Sequence, residues 1–133
     1  MTPLLPVAAA LALVAGAVPA EVALTAVATG QPEPILTEDW QPGPGGLGCF
    51  RTPLSLALLT ETFALYDAAA PRPGPQAPPC FDAARIGADL ASGVALAFLG
   101  ARNITPGVDR VVAVYPDGRA YVWLQPNDLA GKN

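Results

Sequence analysis

Two strand-like segments near the C-terminus set the first condition on the fold. Residues 108–115 and 119–125 are rich in Val, Tyr and Trp, and Pro116-Asp117-Gly118 separates them. Proline fixes φ at about −65°, aspartate caps the turn, and glycine adopts the positive φ that such a turn needs. The sequence therefore predicts a β-hairpin. Because an isolated hairpin is only marginally stable in water, one of its faces must pack against the rest of the chain.

Two helical patterns precede the hairpin. Thr52 and Pro53 suit the N-cap and the first position of a helix. Apolar residues follow at helical spacing, namely Leu56, Leu59, Phe63 and Tyr66. Asp82 suits the N-cap of a second helix that reaches residue 101, with Gly93 inside it at a cost of about 1 kcal/mol relative to alanine. Its apolar stripe consists of Ile86, Leu90, Val94, Ala97 and Phe98. Both helices carry wide apolar surfaces, which predicts that they are largely buried.

The remaining segments complete the predicted fold. Residues 21–29 alternate imperfectly between apolar and polar side chains, as a short edge strand does. Two stretches rich in proline and glycine, 30–48 and 69–80, show no periodic pattern and are predicted to be loops. The predicted fold class is α+β: two packed helices against a small antiparallel sheet, in the order β-α-α-β-β. The first strand is expected to join the C-terminal hairpin in a three-stranded sheet.

The N-terminus is typical of an export signal. An apolar run from residue 4 to residue 15, interrupted only by Pro6, precedes the small residues that a signal peptidase needs before Glu21. We therefore predict a signal peptide at 1–20, cleaved from a single small domain at 21–133 that is periplasmic or secreted. The first residues lack Lys and Arg, and two alternatives stay open: an uncleaved membrane anchor and a buried N-terminal helix.

Cys49 and Cys80 are the only cysteines, and each borders a predicted loop. In an exported protein, an even number of cysteines in such positions predicts a disulfide. It would close a loop of about 30 residues and stabilise the fold by about 3.5 kcal/mol on the chain-entropy model. A structural zinc site needs four ligands, and redox cysteines usually stand only two residues apart. The sequence therefore predicts a structural bridge, with no metal and no cofactor.

Charge and histidine content limit the classes of function. The net charge is −4, and the seven Lys and Arg residues are scattered along the chain. The clustered basic surface that binds nucleic acid or anionic lipid is therefore missing. The sequence contains no histidine, which excludes the common Ser-His-acid and Cys-His catalytic groups. We expect no catalytic residue, no nucleic-acid partner, and contact with a membrane only through an uncleaved N-terminus.

Three aromatic residues are candidate binding residues. Trp40 lies in the predicted loop 30–48, while Tyr121 and Trp123 share one face of the last strand by period-two alternation. Tryptophan and tyrosine are enriched among the residues that dominate binding energy at interfaces. Packing onto the protein's own core is the more frequent role for each of these side chains, so both interpretations are kept.

Three functional hypotheses follow from these features. The leading one is an exported, non-catalytic domain that binds or supports a protein partner in a bacterial-type cell envelope. A small carboxylate-dependent hydrolase is the second, and it would need two acids about 5–10 Å apart across a cleft. The acids considered are Glu38, Glu61, Asp82 and Asp89. The third is a membrane-tethered accessory subunit held by an uncleaved N-terminus. The absence of histidine and of a usable nucleophile favours the first.

Overall fold

The computed structural model describes residues 22–72 and 77–127, and this part of the chain is mostly β-structure. Its strands form two antiparallel sheets, one of two strands and one of five, and only two short helices accompany them. The predicted α+β fold with two packed helices against a three-stranded sheet is therefore wrong. The predicted signal peptide at 1–20 lies outside the described residues.

The five-stranded sheet has the strand order β3-β4-β7-β6-β5. Its strands are β3 (Glu38–Pro42), β4 (Gly48–Arg51), β5 (Leu96–Thr105), β6 (Val108–Val114) and β7 (Arg119–Pro126). The predicted hairpin is confirmed, because β6 and β7 pair in continuous register from Val108 opposite Pro126 to Val114 opposite Ala120. Strand β4 pairs with the outer side of β7, so the hairpin is extended on both flanks and β3 forms one edge.

The first strand pairs differently from the prediction. Strand β1 (Val22–Thr25) forms the two-stranded sheet with β2 (Pro32–Ile35) and does not join the hairpin. An extended segment, residues 63–66, lies between β1 and β5. The Ala64 N–H donates to the Thr25 carbonyl at 2.9 Å, and the Leu99 N–H donates to the Ala64 carbonyl at 3.0 Å. The predicted first helix included this segment, but the observed helix ends before it.

Both helices are shorter than predicted. Helix α1 (Leu56–Thr62) is capped by Ser55, whose hydroxyl accepts the Leu58 N–H at 3.1 Å. Helix α2 (Ala83–Ser92) begins, as predicted, after the N-cap Asp82. It ends at Gly93, which has a left-handed backbone with φ 82°. Neither described helix has the length and apolar character needed to cross a membrane.

The proline-rich stretches differ from each other. The predicted loop 30–48 contains β2, β3 and a 3-10 turn at Pro44–Gly46, so the prediction of an unstructured loop is wrong there. Proline is tolerated in β2 and β3 because each lies at the edge of its sheet. In the described residues of the other stretch, 69–72 and 77–80, no helix or strand forms, as predicted.

Two clusters of buried side chains lie on opposite faces of the five-stranded sheet. On the face that we call the α1 face, β1 and α1 cover Phe50, Phe98, Val112 and Val122. On the opposite, α2 face, Phe81 and α2 cover Cys49, Val111, Ala113 and Trp123. Alternation along β4, β6 and β7 assigns neighbouring residues to opposite faces. The two helices are therefore separated by the sheet and do not pack on each other.

Candidate functional site

A cleft of about 430 Å³ opens at the β3 edge of the five-stranded sheet, and we call it the edge cleft. Its walls come from β3, β4, the start of β7 and the residue before Phe81. The lining residues are Asp39, Trp40, Gln41, Cys49, Phe50, Arg51, Cys80, Arg119 and Tyr121. The strand order β3-β4-β7 brings these segments together, although they are far apart in the sequence.

The predicted disulfide between Cys49 and Cys80 is present and forms part of the cleft wall. Cys49 lies on β4 and Cys80 precedes α2, so the bond fastens the segment before α2 to the sheet. Phe81, the next residue, is buried, and its ring centroid lies 6.2 Å from that of Tyr121 and 6.3 Å from that of Trp123. Disulfides persist in oxidising compartments, so this bond points to an extracytoplasmic environment.

Two arginines stand directly opposite each other in the cleft. Arg51 on β4 and Arg119 on β7 are cross-strand partners, and both side chains are exposed. Like charges in this position destabilise a sheet unless they are compensated. Asp117 compensates Arg119, because its carboxylate accepts the Arg119 Nε–H at 2.8 Å. The Arg119 backbone N–H, the Arg119 side chain and the charge of Arg51 together hold the pKa of Asp117 below its usual value.

The Arg119 side chain is also held by an aromatic residue. Its guanidinium carbon lies 4.3 Å from the centre of the Tyr115 ring, a cation–π contact. Tyr115 is itself fixed, since its hydroxyl donates to Asp89 Oδ2 at 2.6 Å. Burial, together with this hydrogen bond to a carboxylate, raises the pKa of Tyr115 well above its ordinary value. Arg119 is therefore a positioned side chain with its charge already partnered.

The three aromatic candidates lie in different environments. Trp40 lines the cleft, but its ring covers Gly48, where an added Cβ would lie 2.5 Å from indole Cη2. The indole therefore packs on the α1 face, 6.2 Å from the Phe50 ring. Tyr121 is half-buried on the α2 face and lines the cleft. Trp123 is completely buried, and its indole N–H donates to Gln125 Oε1 at 2.9 Å.

The structure thus brings Trp40 and Tyr121 to one cleft and leaves Trp123 in the core. The binding role of these residues stays a prediction, and we build the candidate site without Trp123. Arg51 and Arg119 could not be predicted from the sequence as members of one site. Scattered basic residues carry no signal of proximity, and the pairing of β4 with β7 depends on a four-residue strand without a detectable pattern.

A second polar cluster surrounds Asp109, which has no exposed surface. Its carboxylate accepts the Tyr66 hydroxyl at 2.8 Å, the Asn103 N–H at 2.9 Å and Asn127 Nδ2 at 2.8 Å. Burial alone would raise the pKa of Asp109. The hydrogen bonds and the charge of Arg102 outweigh it, so the pKa lies below its ordinary value. These donors occupy both carboxylate oxygens, which is the arrangement of a structural carboxylate.

The four carboxylates considered for hydrolysis lie outside the edge cleft. Glu38 is on β3 and Glu61 on α1, while Asp82 accepts the Arg85 N–H as the cap of α2 and Asp89 accepts the Tyr115 hydroxyl. Two of the four are therefore engaged in holding α2. Within residues 22–72 and 77–127, no group of three Cys, Asp or Glu side chains is placed to hold a metal ion.

Comparison with known proteins gives one match. A model of a protein family described as a family of unknown function matches residues 22–133. No curated protein and no solved structure matches the chain. The match assigns no ligand and no reaction.

Proposed function

The chain belongs to that family, DUF6446, and we propose that it is an exported, non-catalytic domain that binds a protein partner in a bacterial-type cell envelope. The observation that carries this proposal is the composition of the edge cleft. Arg51, Arg119 and Tyr121 meet there on a partly exposed surface, and Trp40 borders it from β3. Arginine, tyrosine and tryptophan are the residue types that most often dominate the binding energy of protein interfaces.

The shape of the β3 edge favours recognition by side chains over addition of a partner's strand. The register of β3 shifts between Glu38 and Gln41, and Asp39 has a positive φ of 54°. Bulges and acidic residues at a sheet edge interrupt its row of backbone groups and protect it from pairing with another strand. The same bulge directs Trp40 across Gly48. A partner is therefore expected to bind in the cleft rather than along the backbone of β3.

Export and the lack of catalysis are supported by separate observations. The Cys49–Cys80 disulfide fits an oxidising compartment, and the apolar run at 4–15 has the length of a signal-peptide core. A chain without histidine lacks the usual general base near neutral pH. Periplasmic or secreted localisation and a binding role together account for a small, cross-linked domain with a polar and aromatic cleft.

Site-specific photo-cross-linking in living cells tests this proposal. The full chain would carry a photoreactive phenylalanine analogue at Gln41, which is exposed and lines the cleft. The matched control carries it at Thr60, which is exposed on α1 and does not line the cleft. We expect a protein adduct in the periplasmic or secreted fraction from the Gln41 position only. Equal adducts from both positions, no adduct, or an adduct confined to the cytoplasm would contradict the proposal.

A further inference from the structure

Arg51 forms no ion pair with a carboxylate in the described part of the chain, although its charge helps to lower the pKa of Asp117. The ion pairs within residues 22–72 and 77–127 involve other arginines. The hydrogen bond of Arg51 runs from Nη1 to the backbone carbonyl of Asp117 at 3.3 Å. A guanidinium has five N–H donors in a planar fork that matches a carboxylate. Arg51 therefore keeps donors that face the cleft for an external acceptor.

The neighbours of Arg51 make an external carboxylate favourable. Arg119 stands directly opposite it, and the nearby carboxylate of Asp117 is taken up by Arg119. Arg119 is therefore compensated and fixed by a carboxylate of its own, whereas Arg51 forms no ion pair in the described residues. A ligand carboxylate at Arg51 would supply the charge-assisted hydrogen bonds that this guanidinium lacks.

Within the described residues, Glu38 is an acidic residue placed to compete for Arg51. It lies opposite Arg51 in the register of β3 and β4, yet the two form no ion pair in this structure. Glu38 is exposed, as is Asp39 at the cleft wall. Exposed charges that make no direct contact are strongly screened, so Glu38 attracts Arg51 only weakly. Removal of the Glu38 charge should consequently leave ligand binding unchanged or strengthen it.

We infer that the edge cleft binds an extended, acidic segment of the partner protein, and that Arg51 binds a carboxylate of that segment. This inference rests on the proposed function. The size and lining of the cleft favour a peptide over an inorganic anion. A volume of about 430 Å³ holds more than one side chain, and Tyr121 adds aromatic surface beside the arginines.

Selection from a random peptide library on the immobilised full chain tests this inference. Enriched peptides would be labelled, and their dissociation constants measured for the wild type and three variants. Arg51→Gln removes the anchor, Glu38→Gln removes the competitor, and Arg72→Gln is the matched control. Arg72 is an exposed arginine outside the edge cleft, and like Arg51 it forms no ion pair in the described residues. Unchanged thermal unfolding of each variant verifies that the fold is intact.

We expect the enriched peptides to share Asp or Glu. Arg51→Gln should weaken their binding by about tenfold or more, as loss of a hydrogen-bonded charge does. Arg72→Gln should change it by less than about twofold, and Glu38→Gln should not weaken it. Enrichment of peptides without acids, no enrichment, or equal binding by wild type and Arg51→Gln would overturn the inference.

The two proposals fail in different ways. If the Gln41 cross-linker captures a partner and Arg51→Gln does not reduce that capture, the acidic-segment inference is wrong and the proposed function stands. If acidic peptides require Arg51 but no cellular partner is captured at Gln41, the proposed function is wrong and the cleft is left only with its affinity for acidic peptides.

Discussion

The buried carboxylate of Asp109 requires hydrogen-bond donors around it. A carboxylate without exposed surface is costly unless hydrogen bonds replace its water. Here the replacements come from three separate parts of the chain: Tyr66 from the segment after α1, Asn103 from β5, and Asn127, which follows β7. Asp109 therefore connects these three segments to β6.

We predict that Asp109→Asn lowers the free energy of unfolding by about 2–3 kcal/mol at neutral pH. The side-chain amide nitrogen of asparagine is itself a donor, and it would face the donors that now bind the carboxylate. The pKa of Asp109 lies below its ordinary value of 3.8 in the fold, so the folded state releases this proton more readily than the unfolded state. The stability that the ionised Asp109 carboxylate contributes is complete above the ordinary pKa of 3.8, and it is lost as the pH falls through the lower pKa of the folded state.

Urea unfolding at about pH 6 and about pH 3 measures both effects. The wild type should lose more stability between these two values than Asp109→Asn does. Asp67→Asn serves as the control, since Asp67 is an exposed aspartate. A wild type and an Asp109→Asn variant with parallel pH dependence would show that the buried carboxylate does not contribute in this way.

Tyr121 and Trp123 illustrate what alternation predicts for a site and what it does not. Period two correctly assigns both to one face of β7. It does not show that this face is covered at Trp123 and open at Tyr121. That difference depends on where Phe81 docks, and Phe81 is positioned by the disulfide and by chain folding at a distance. The sequence therefore predicted which face these two residues share, but not which of the two is exposed.

At the scale of elements, Gly93 explains the largest error in the predicted fold. The apolar residues of the predicted second helix continue past Gly93, and a continuous apolar run is compatible with a buried helix or a buried strand. The left-handed backbone of Gly93 ends α2, and its N–H is bonded to the carbonyls of Asp89 and Leu90. The rest of the run forms β5. A glycine interpreted as a tolerated helix residue is in fact the helix terminator.

The hairpin was predictable because its turn is encoded locally, and Gly118 is the most sensitive residue of that turn. Gly118 has a φ of 93°, and an added Cβ would lie 2.6 Å from the Thr52 carbonyl oxygen. The Gly118 carbonyl also accepts the Thr52 N–H at 2.9 Å. The turn therefore docks against the chain between β4 and α1, which places Asp117 beside the edge cleft.

We predict that Gly118→Ala lowers the free energy of unfolding by about 3 kcal/mol, through both backbone strain and the clash with Thr52. Gly30→Ala is the matched control, because Gly30 has a φ of 72° with no atom within 4 Å of an added Cβ. It should cost about 1 kcal/mol from the backbone alone. Chemical denaturation compares the two variants. Equal losses would show that contact with Thr52 is unimportant.

At the scale of the whole molecule, long-range pairing builds the edge cleft. Arg51 and Arg119 are cross-strand neighbours separated by most of the domain, and β3 joins them from a stretch whose composition predicts a loop. Local patterns carry no information about such pairings. The cysteines are the exception, since their number and positions, together with the predicted export, predicted the disulfide between β4 and the segment before α2.

That contact leads to a prediction for the fold and the cleft together. The disulfide closes a loop between residues 31 positions apart. Loss of the cross-link should lower the free energy of unfolding by about 3.5 kcal/mol, because the unfolded chain regains that freedom. Urea unfolding would compare the oxidised wild type, the reduced wild type and Cys49→Ala/Cys80→Ala. The reduced wild type retains both sulfur atoms, so it separates the cross-link from packing at the buried Cys49.

Release of Cys80 should also loosen one wall of the cleft, since Phe81 would no longer be fastened against Tyr121 and Trp123. Where the reduced chain is still folded, acidic peptides should therefore bind it more weakly than the oxidised chain, and its Gln41 cross-links should decrease. If reduction changes neither the urea midpoint nor peptide binding, apolar packing of Phe81 and Ile86 alone holds α2 on the sheet. The disulfide would then be a consequence of the compartment rather than a support of the cleft.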